Sequence, residues 1–230
     1  MSKFPYKHIM WDWNGTLVDD SWLSVKIINE VLSKRDMALI DHERYLKLFG
    51  FPVSNYYLRL GFDFAMESFE KIGTEFIEGY EANKYTVGLH ENAVEVIQKL
   101  KAGGVSHSIL SAYKQETLDE LVKHFEIDNL FMKIVGLDNH FAESKVENGI
   151  QWMAELGMEA SDILFVGDTE HDHEVAMAIG VDCVLIEGGH QTRETIAKTG
   201  AKILDNITDI LRLTGTTAGV GVQSTKVAEV

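Results

Sequence analysis

The run Ile9-Met10-Trp11-Asp12-Trp13-Asn14-Gly15-Thr16-Leu17-Val18-Asp19 decides how the rest of the chain is read. Its short apolar segment reads as a buried strand. The strand runs out at Asp12, and a Gly-Thr turn then diverts the chain. A carboxylate at that point costs desolvation energy unless a cation or backbone donors meet it. Loop ends of open parallel sheets are also where such folds carry their sites. An ordinary Asx turn closing a strand has the same local pattern, so the later segments must decide between the two.

Between Asp19 and about Lys84 the pattern is helical, with Val25, Ile28, Val31 and Leu32, then Phe69, Ile72, Phe76 and Tyr80, at spacings of three and four. Leu48-Phe49-Gly50-Phe51-Pro52 breaks it with two exposed-looking aromatics. The block reads as a small helical insertion straight after the first strand. Past Gly88 the period changes. Helices are expected at Glu91–Lys101, Gln115–Glu126, Ser144–Leu156, His173–Ile179 and Arg193–Lys198. Strands are expected at Ser106–Ser111, Met132–Gly136, Ile163–Gly167, Val181–Ile186 and Ala201–Leu204, with a last apolar run at Ile207–Leu213. Apolar strands separated by helices imply crossover units, hence an α/β fold with a doubly wound parallel sheet covered on both faces. The boundaries expected are 1–18 and 86–213 for the α/β core, 19–85 for the helical insertion, and 214–230 for a polar tail without periodicity.

Three of these strands lead into polar residues: Asp12, Ser111, and Gly167-Asp168-Thr169-Glu170-His171-Asp172. In a parallel sheet all three ends lie on one edge, so distant residues can converge there. Lys145 opens a helix near the same edge and brings a positive charge. Carboxylates, a hydroxyl and a cation are what a magnesium ion and a phosphoryl group require. A hard cation takes oxygen ligands, phosphoryl oxygens take donors and positive charge, and an aspartate can carry a covalent phosphate.

The four segments resemble the four motifs of the haloacid dehalogenase superfamily. Asp12-Trp13-Asn14-Gly15-Thr16-Leu17 is similar to the first motif, Asp-x-Asp-Gly-Thr-Leu, and Ser111 to the Ser/Thr of the second. Lys145 is similar to the lysine of the third motif, and Gly167-Asp168 with Asp172 to the acidic fourth. The resemblance spans about residues 6–213 and implies a Rossmann-like core with a small helical cap, in the class that holds phosphoglycolate phosphatases and beta-phosphoglucomutase relatives. It implies Asp12 as the nucleophile of a magnesium-dependent phosphatase. Magnesium would be held by Asp12, the backbone carbonyl of Asn14 and Asp168, with Asp172 as a direct ligand or support. Ser111 and backbone N–H groups near Trp13 and Ala112 would bind the phosphoryl oxygens, and Lys145 would offset the crowded negative charge between Asp12, substrate and Asp168.

One position departs from the family pattern. Its phosphatases carry a second aspartate where this chain has Asn14, and that carboxylate protonates the leaving oxygen and then deprotonates the hydrolytic water. An amide cannot shuttle a proton, and general acid–base help is worth about 10²- to 10⁴-fold. The resulting expectation is a weakened phosphatase favouring good leaving groups, in which Asn14→Asp raises turnover of alkyl phosphates at least about tenfold.

Composition narrows the partners. The 230 residues hold 21 basic and 36 acidic side chains, a net charge of −15, which argues against a nucleic-acid partner. No stretch reaches membrane-spanning length and no signal-like run precedes Asp12, so a cytoplasmic location and no membrane partner are expected. The lone Cys183 excludes an internal disulfide and lies in an apolar run. The expected partner is a small phosphorylated metabolite, with oligomeric state, monomer or dimer, left open. His171, His173 and His190 could suggest a transition-metal site, but the carboxylate-rich setting favours magnesium. Phe49, Phe51 and Tyr56 read first as helical core, although the break around Gly50-Phe51-Pro52 matches where members of the resembled family place a cap loop over the active site. Arg44 and Arg59 read first as solvated-face residues, either of which could reach an anionic substrate tail. Competing readings are a metal-free dehalogenase, a phosphonate-cleaving enzyme using Lys26 or Lys47, and a degenerate member that binds a phosphometabolite without turning it over.

Overall fold

The computed structural model describes residues 4–137 and 145–213. The tail expected at 214–230, and Ser144 at the head of one expected helix, lie outside them. In chain order the first elements are β1 (His8–Trp11), β2 (Val18–Asp19), α1 (Ser21–Ser33), α2 (His42–Leu48), α3 (Val53–Leu60) and α4 (Phe69–Asn83). There follow β3 (Gly88–Leu89), α5 (Ala93–Ala102), β4 (Ser106–Lys114), α6 (Gln115–His124), β5 (Lys133–Leu137) and α7 (Lys145–Leu156). The last are β6 (Ile163–Gly167), α8 (Glu170–Ile179), β7 (Asp182–Ile186), α9 (Arg193–Ala197) and β8 (Lys202–Leu204).

Six strands form one parallel sheet in the order β5-β4-β1-β6-β7-β8. Period-two alternation sends Ile9 and Trp11 of β1 into one apolar layer, with Leu118 and Leu121 of α6, and Met10 into the other, with Trp152 of α7 and Val175 of α8. Both faces are thus covered, which is why the strands are apolar throughout. From β1 the chain moves outward to β4 and β5, then returns to β6 and moves the opposite way to β7 and β8. The strand order therefore reverses between β1 and β6, and the crevice at their carboxyl ends is where such sheets bind ligands. Asp12 follows β1 there and Asp168 follows β6.

Helices α1 to α4 share an apolar cluster of their own, built on Ile28, Leu32, Tyr45, Tyr57 and Ile72. The chain enters and leaves this block through β2 and β3, which pair antiparallel with Val18 beside Leu89. Two boundaries differ from those the sequence predicts in ways that bear on the site. The strand expected to stop at Ser111 continues to Lys114 across an irregular register after Leu110, so Ser111 and Ala112 lie within β4. Helix α8 begins at Glu170 rather than His173, because Thr169 caps it and Asp172 returns the hydrogen bond in a capping box.

Candidate active site

The Asp12 N–H donates to the Val166 carbonyl at 2.8 Å, which ties the end of β1 to β6. The Trp13 carbonyl then accepts from the N–H groups of Leu17 (2.9 Å) and Val18 (3.0 Å), folding the chain back at once. Gly15 has a φ of +75°, and a Cβ there would come within 2.4 Å of Asp168 Oδ2 and 2.5 Å of the His190 ring. Both the left-handed backbone and the close approach require glycine.

Asp168 is fixed by two donors, Thr16 Oγ1 to its Oδ1 (2.8 Å) and the His190 N–H to its Oδ2 (2.7 Å). Asp172 lies in the first turn of α8. Its Oδ2 accepts from the Thr169 N–H (2.9 Å), the Thr169 hydroxyl (2.7 Å) and the Asp168 N–H (3.2 Å). Lys145, at the start of α7 and 2% exposed, donates to Asp12 Oδ1 and Asp172 Oδ1, each at 2.6 Å. Lys145 therefore bridges Asp12 and Asp172, not Asp12 and Asp168.

Burial, then the neighbouring charge of Asp172, pushes the Asp12 carboxyl well above the usual carboxylate range, although Lys145 acts the other way. Burial also raises Asp168. For Asp172 burial works in the same sense, but Lys145 and the Thr169 hydrogen bonds outweigh it and hold this carboxyl low. Three carboxyls thus share one lysine, and the two raised ones resist ionising together unless a further cation joins them.

That imbalance tests whether a divalent cation fits. One oxygen each from Asp12, Asp168 and Asp172 lie within 4.8 Å of one another, and all three residues are buried. Oxygen-only, anionic and buried, this donor set suits a hard cation. Lys145, the Thr169 N–H and hydroxyl and the Asp168 N–H already crowd the Asp172 oxygens, so its fitting part is support. Asp12 and Asp168 are less fully engaged and suit direct ligation. Among the described residues this is the one grouping of metal-type ligands, and it contains no histidine.

A cavity of about 220 Å³ opens over Asp12 and is also lined by Asn14, Ser111, Ala112, Lys145 and Asp172. Ser111 is buried, and its Oγ accepts from the Tyr113 N–H at 3.1 Å. The Trp13 side chain does not line the cavity. It is fully buried in the core, its ring 6.2 Å from that of Phe125. Phe49, Phe51 and Tyr56 do line it, a placement the helical periodicity of their block does not reveal.

The residues that sequence reasoning passes over are those holding Asn14. Its Nδ2 donates to Asp20 Oδ2 (2.8 Å) and to Tyr80 Oη (3.0 Å). Asp20 also accepts from the Gly15 N–H (2.9 Å) and the Tyr80 hydroxyl (2.7 Å), and its Oδ1 lies 3.2 Å from His190 Nε2. His190 Nδ1 is 2.8 Å from Tyr45 Oη, so both ring nitrogens are occupied and neither is free for a metal. Burial disfavours the charged imidazole, but Asp20, then Asp168 and Asp12, outweigh it and raise its pKa to about 9. Nothing in the spacing of residues 14, 20, 80 and 190 signals this network. Only the Asp19-Asp20 pair hints that an acid sits near the loop.

Among the described residues no helix is long and apolar enough to cross a membrane. The family model for haloacid dehalogenase-like hydrolases matches residues 9–186. A phosphoglycolate phosphatase of Pseudomonas savastanoi pv. phaseolicola is 25% identical over 221 residues, covering 91% of this chain and 79% of its own length. The tyrosine-protein kinase PtkA of Mycobacterium tuberculosis is 22% identical over 204 residues, 88% of this chain and 69% of that one. The crystal structure of a predicted phosphoglycolate phosphatase from Haemophilus somnus superposes with a TM-score of 0.75 at 22% identity, covering 90% of this chain and 97% of the other. With its four motif segments gathered at the edge of a parallel sheet and most of its length matched, the chain belongs to the haloacid dehalogenase-like hydrolase family.

Proposed function

We propose that the protein is a magnesium-dependent phosphatase that hydrolyses a small phosphorylated metabolite through an aspartyl-phosphate on Asp12. The observation that carries this reading is the grouping of Asp12, Asp168 and Asp172, with Lys145 joined to Asp12 and Asp172 where these three line one small cavity. Asp12 Oδ attacks phosphorus, and the bond to the leaving oxygen breaks with its electron pair passing to that oxygen. Water then attacks the same phosphorus, releasing inorganic phosphate and the free carboxylate. The Ser111 hydroxyl and the N–H groups of Trp13 and Ala112 bind phosphoryl oxygens, and Lys145 offsets their charge. Asp12, the Asn14 carbonyl and Asp168, with Asp172 in support, would hold magnesium, which would supply positive charge to the phosphoryl oxygens. Residues 19–85 act as a cap whose closure excludes water.

The test is a panel of phosphorylated metabolites assayed with magnesium and with chelator, Asp12→Asn serving as the blank. Chelation should lower phosphate release by at least ~10²-fold, since a bound metal contributes several kcal/mol of charge stabilisation. Turnover indifferent to chelator, or retained in the blank, overturns the reading. Ligand-induced stabilisation without phosphate release, even from an acyl phosphate, would favour a binding protein instead.

The setting of Asn14 changes what its substitution does. An aspartate there would put a second carboxylate against Asp20, where an N–H now donates at 2.8 Å. Loss of that donor and the new repulsion should destabilise Asn14→Asp by about 1–3 kcal/mol, and less than the tenfold gain expected from the sequence should appear. Exchanging the pair, Asn14→Asp with Asp20→Asn, keeps one donor between them. The amide introduced by Asp20→Asn can still accept from the Gly15 N–H and His190 through its oxygen, with its nitrogen facing position 14. The double variant should recover the melting temperature and hydrolyse alkyl phosphates at least about tenfold faster than the parent. Thermal melts and steady-state rates on the three proteins decide it, and a single variant that is both stable and faster would show the contact to be dispensable.

A further inference from the structure

The cavity above Asp12 has walls whose chemistry is unlike its floor. Tyr45 of α2, Phe49 and Phe51 of the α2–α3 connection, Tyr56 of α3, Phe76 of α4 and Tyr113 of β4 contribute aromatic rings. Phe49 meets Tyr56 at 5.4 Å and Phe51 at 5.7 Å edge-on and stacks with Tyr45 at 5.2 Å, and Phe51 stacks on the His171 ring at 4.3 Å. Such a lining favours a flat apolar group, which it can contact edge-to-face or by offset stacking.

The same walls offer no charge for an anionic tail. Among the described residues lining the cavity, the cations are consumed: Lys145 by Asp12 and Asp172, and His190 by Asp20. Arg59, close in sequence to the aromatic loop, donates instead to the backbone carbonyls of Leu48 (2.8 Å) and Asn55 (3.2 Å) and is not part of the lining. Glu81 does line the cavity and adds negative charge, although Tyr113 Oη donates to it at 2.7 Å and Lys84 lies at 3.1 Å. A carboxylate placed here would be desolvated with no free cation among these described residues to offset its charge.

Two polar atoms in the walls are unsatisfied. Tyr56 is 2% exposed, and its Oη has no hydrogen-bond partner. His171 Nε2 is likewise buried and unpartnered, while its Nδ1 lies 3.2 Å from Glu174. A buried donor or acceptor left unpaired is costly, so such atoms mark where a ligand's polar group completes the wall. Reaction chemistry points the same way from a separate observation. Asn14 cannot protonate a departing oxygen, and a phenolate, whose acid has a pKa of about 10, leaves without that help far more readily than an alkoxide.

Resting on the phosphatase reading, we infer that the substrate is a phosphate monoester of a small, neutral, one-ring aromatic alcohol carrying a hydrogen-bonding substituent, rather than a carboxylate-bearing phosphate. The size agrees, since 220 Å³ lies below the roughly 300–1,000 Å³ of sites for drug-sized ligands. In the reaction the phosphorus–oxygen bond breaks and the aryl oxide takes the electron pair, while the phosphoryl group passes to Asp12 and then to water.

The experiment compares kcat/KM, with magnesium, for phenyl phosphate, 4-carbamoylphenyl phosphate, 4-carboxyphenyl phosphate, 2-phosphoglycolate and acetyl phosphate. The carbamoyl and carboxyl rings share size and an electron-withdrawing substituent, so their ratio reports charge in the pocket and not leaving-group strength alone. The carbamoyl ester should exceed the carboxylate by at least about tenfold and 2-phosphoglycolate by at least about a hundredfold, the range over which a pocket discriminates. Tyr56→Phe should lower the carbamoyl-to-phenyl ratio to what the greater acidity of the carbamoyl phenol alone supplies, and Phe51→Ala should raise KM for both rings more than it lowers kcat. A carboxylate-bearing substrate matching or exceeding the carbamoyl ester overturns the inference, as does a ratio that Tyr56→Phe leaves in place. Acetyl phosphate demands neither an aromatic wall nor a leaving-group acid. If it is hydrolysed while the aryl esters show no preference, the inference alone falls. If it too is inert, the phosphatase reading falls and takes the inference with it.

Discussion

Asparagine in place of Asp12 is expected to lower turnover by at least ~10⁴-fold, the scale seen when a covalent nucleophile is removed, and to leave the metal-free fold as stable as the parent or more so. The two effects have opposite signs because the site is electrostatically strained. Burial and the charge of Asp172 disfavour the Asp12 carboxylate despite Lys145, so its ionised form costs folding free energy at neutral pH. An amide of the same shape removes that cost. Its Oδ1 can still accept from Lys145, which keeps Asp172 as its charged partner at 2.6 Å. The gain should be on the order of 1 kcal/mol, as is common where a functional site has been optimised at the expense of stability.

Magnesium should reverse the ranking. On the magnesium reading the cation would stabilise the parent by binding its folded state alone, whereas Asp12→Asn has lost an anionic ligand and should gain less. Thermal melts of both proteins with chelator and with saturating magnesium supply the measurement. A variant that melts well below the parent without metal would mean that Asp12 is a structural ion-pair partner and that the strain ascribed to the cluster is absent.

How far the sequence reveals this site depends on whether a contact is set by periodicity or by tertiary packing. Ile9-Met10-Trp11 shows its strand because both faces are buried, and Asp12 and Asp168 then fall on one edge by topology. The early start of α8 is legible as well, since Thr169 and Asp172 have capping-box spacing. The charge of Asp172 draws attention away from that spacing, although one carboxylate can cap a helix and hold Lys145 together. The network around Asn14 is not legible. Asp20, Tyr80 and His190 come from the β2–α1 junction, α4 and the loop after β7, and no local pattern specifies that they meet. Phe49 and Phe51 fit a helical core as well as a cavity wall by spacing alone, and the arrangement of α2 and α3 over the sheet edge makes them the latter.

Replacing Lys145 by methionine separates the charge of this residue from its bulk. Methionine keeps an unbranched apolar stem of similar length, so packing above the Phe165 ring, 5.3 Å from the ammonium, is largely retained. What disappears is the cation between Asp12 and Asp172, whose carboxylates then face each other in a buried site. Breaking a buried pair by removing one partner costs about 3–5 kcal/mol, and turnover should fall at least ~10³-fold once phosphoryl oxygens lose that donor. The pH dependence identifies the cause. In the parent, Lys145 holds Asp172 low, so this contribution is present at neutral pH and is lost as pH falls through the folded-state value. In the variant both carboxyls rise, and an acid raised by folding destabilises above its unfolded pKa of about 4. Both changes make the deficit largest near neutrality and smallest in acid. The difference in melting temperature between parent and Lys145→Met should therefore be large at about pH 8 and shrink markedly by about pH 5, and magnesium should shrink it at about pH 8 as well. A deficit that ignored both pH and magnesium would assign Lys145 to packing and remove it from the chemistry.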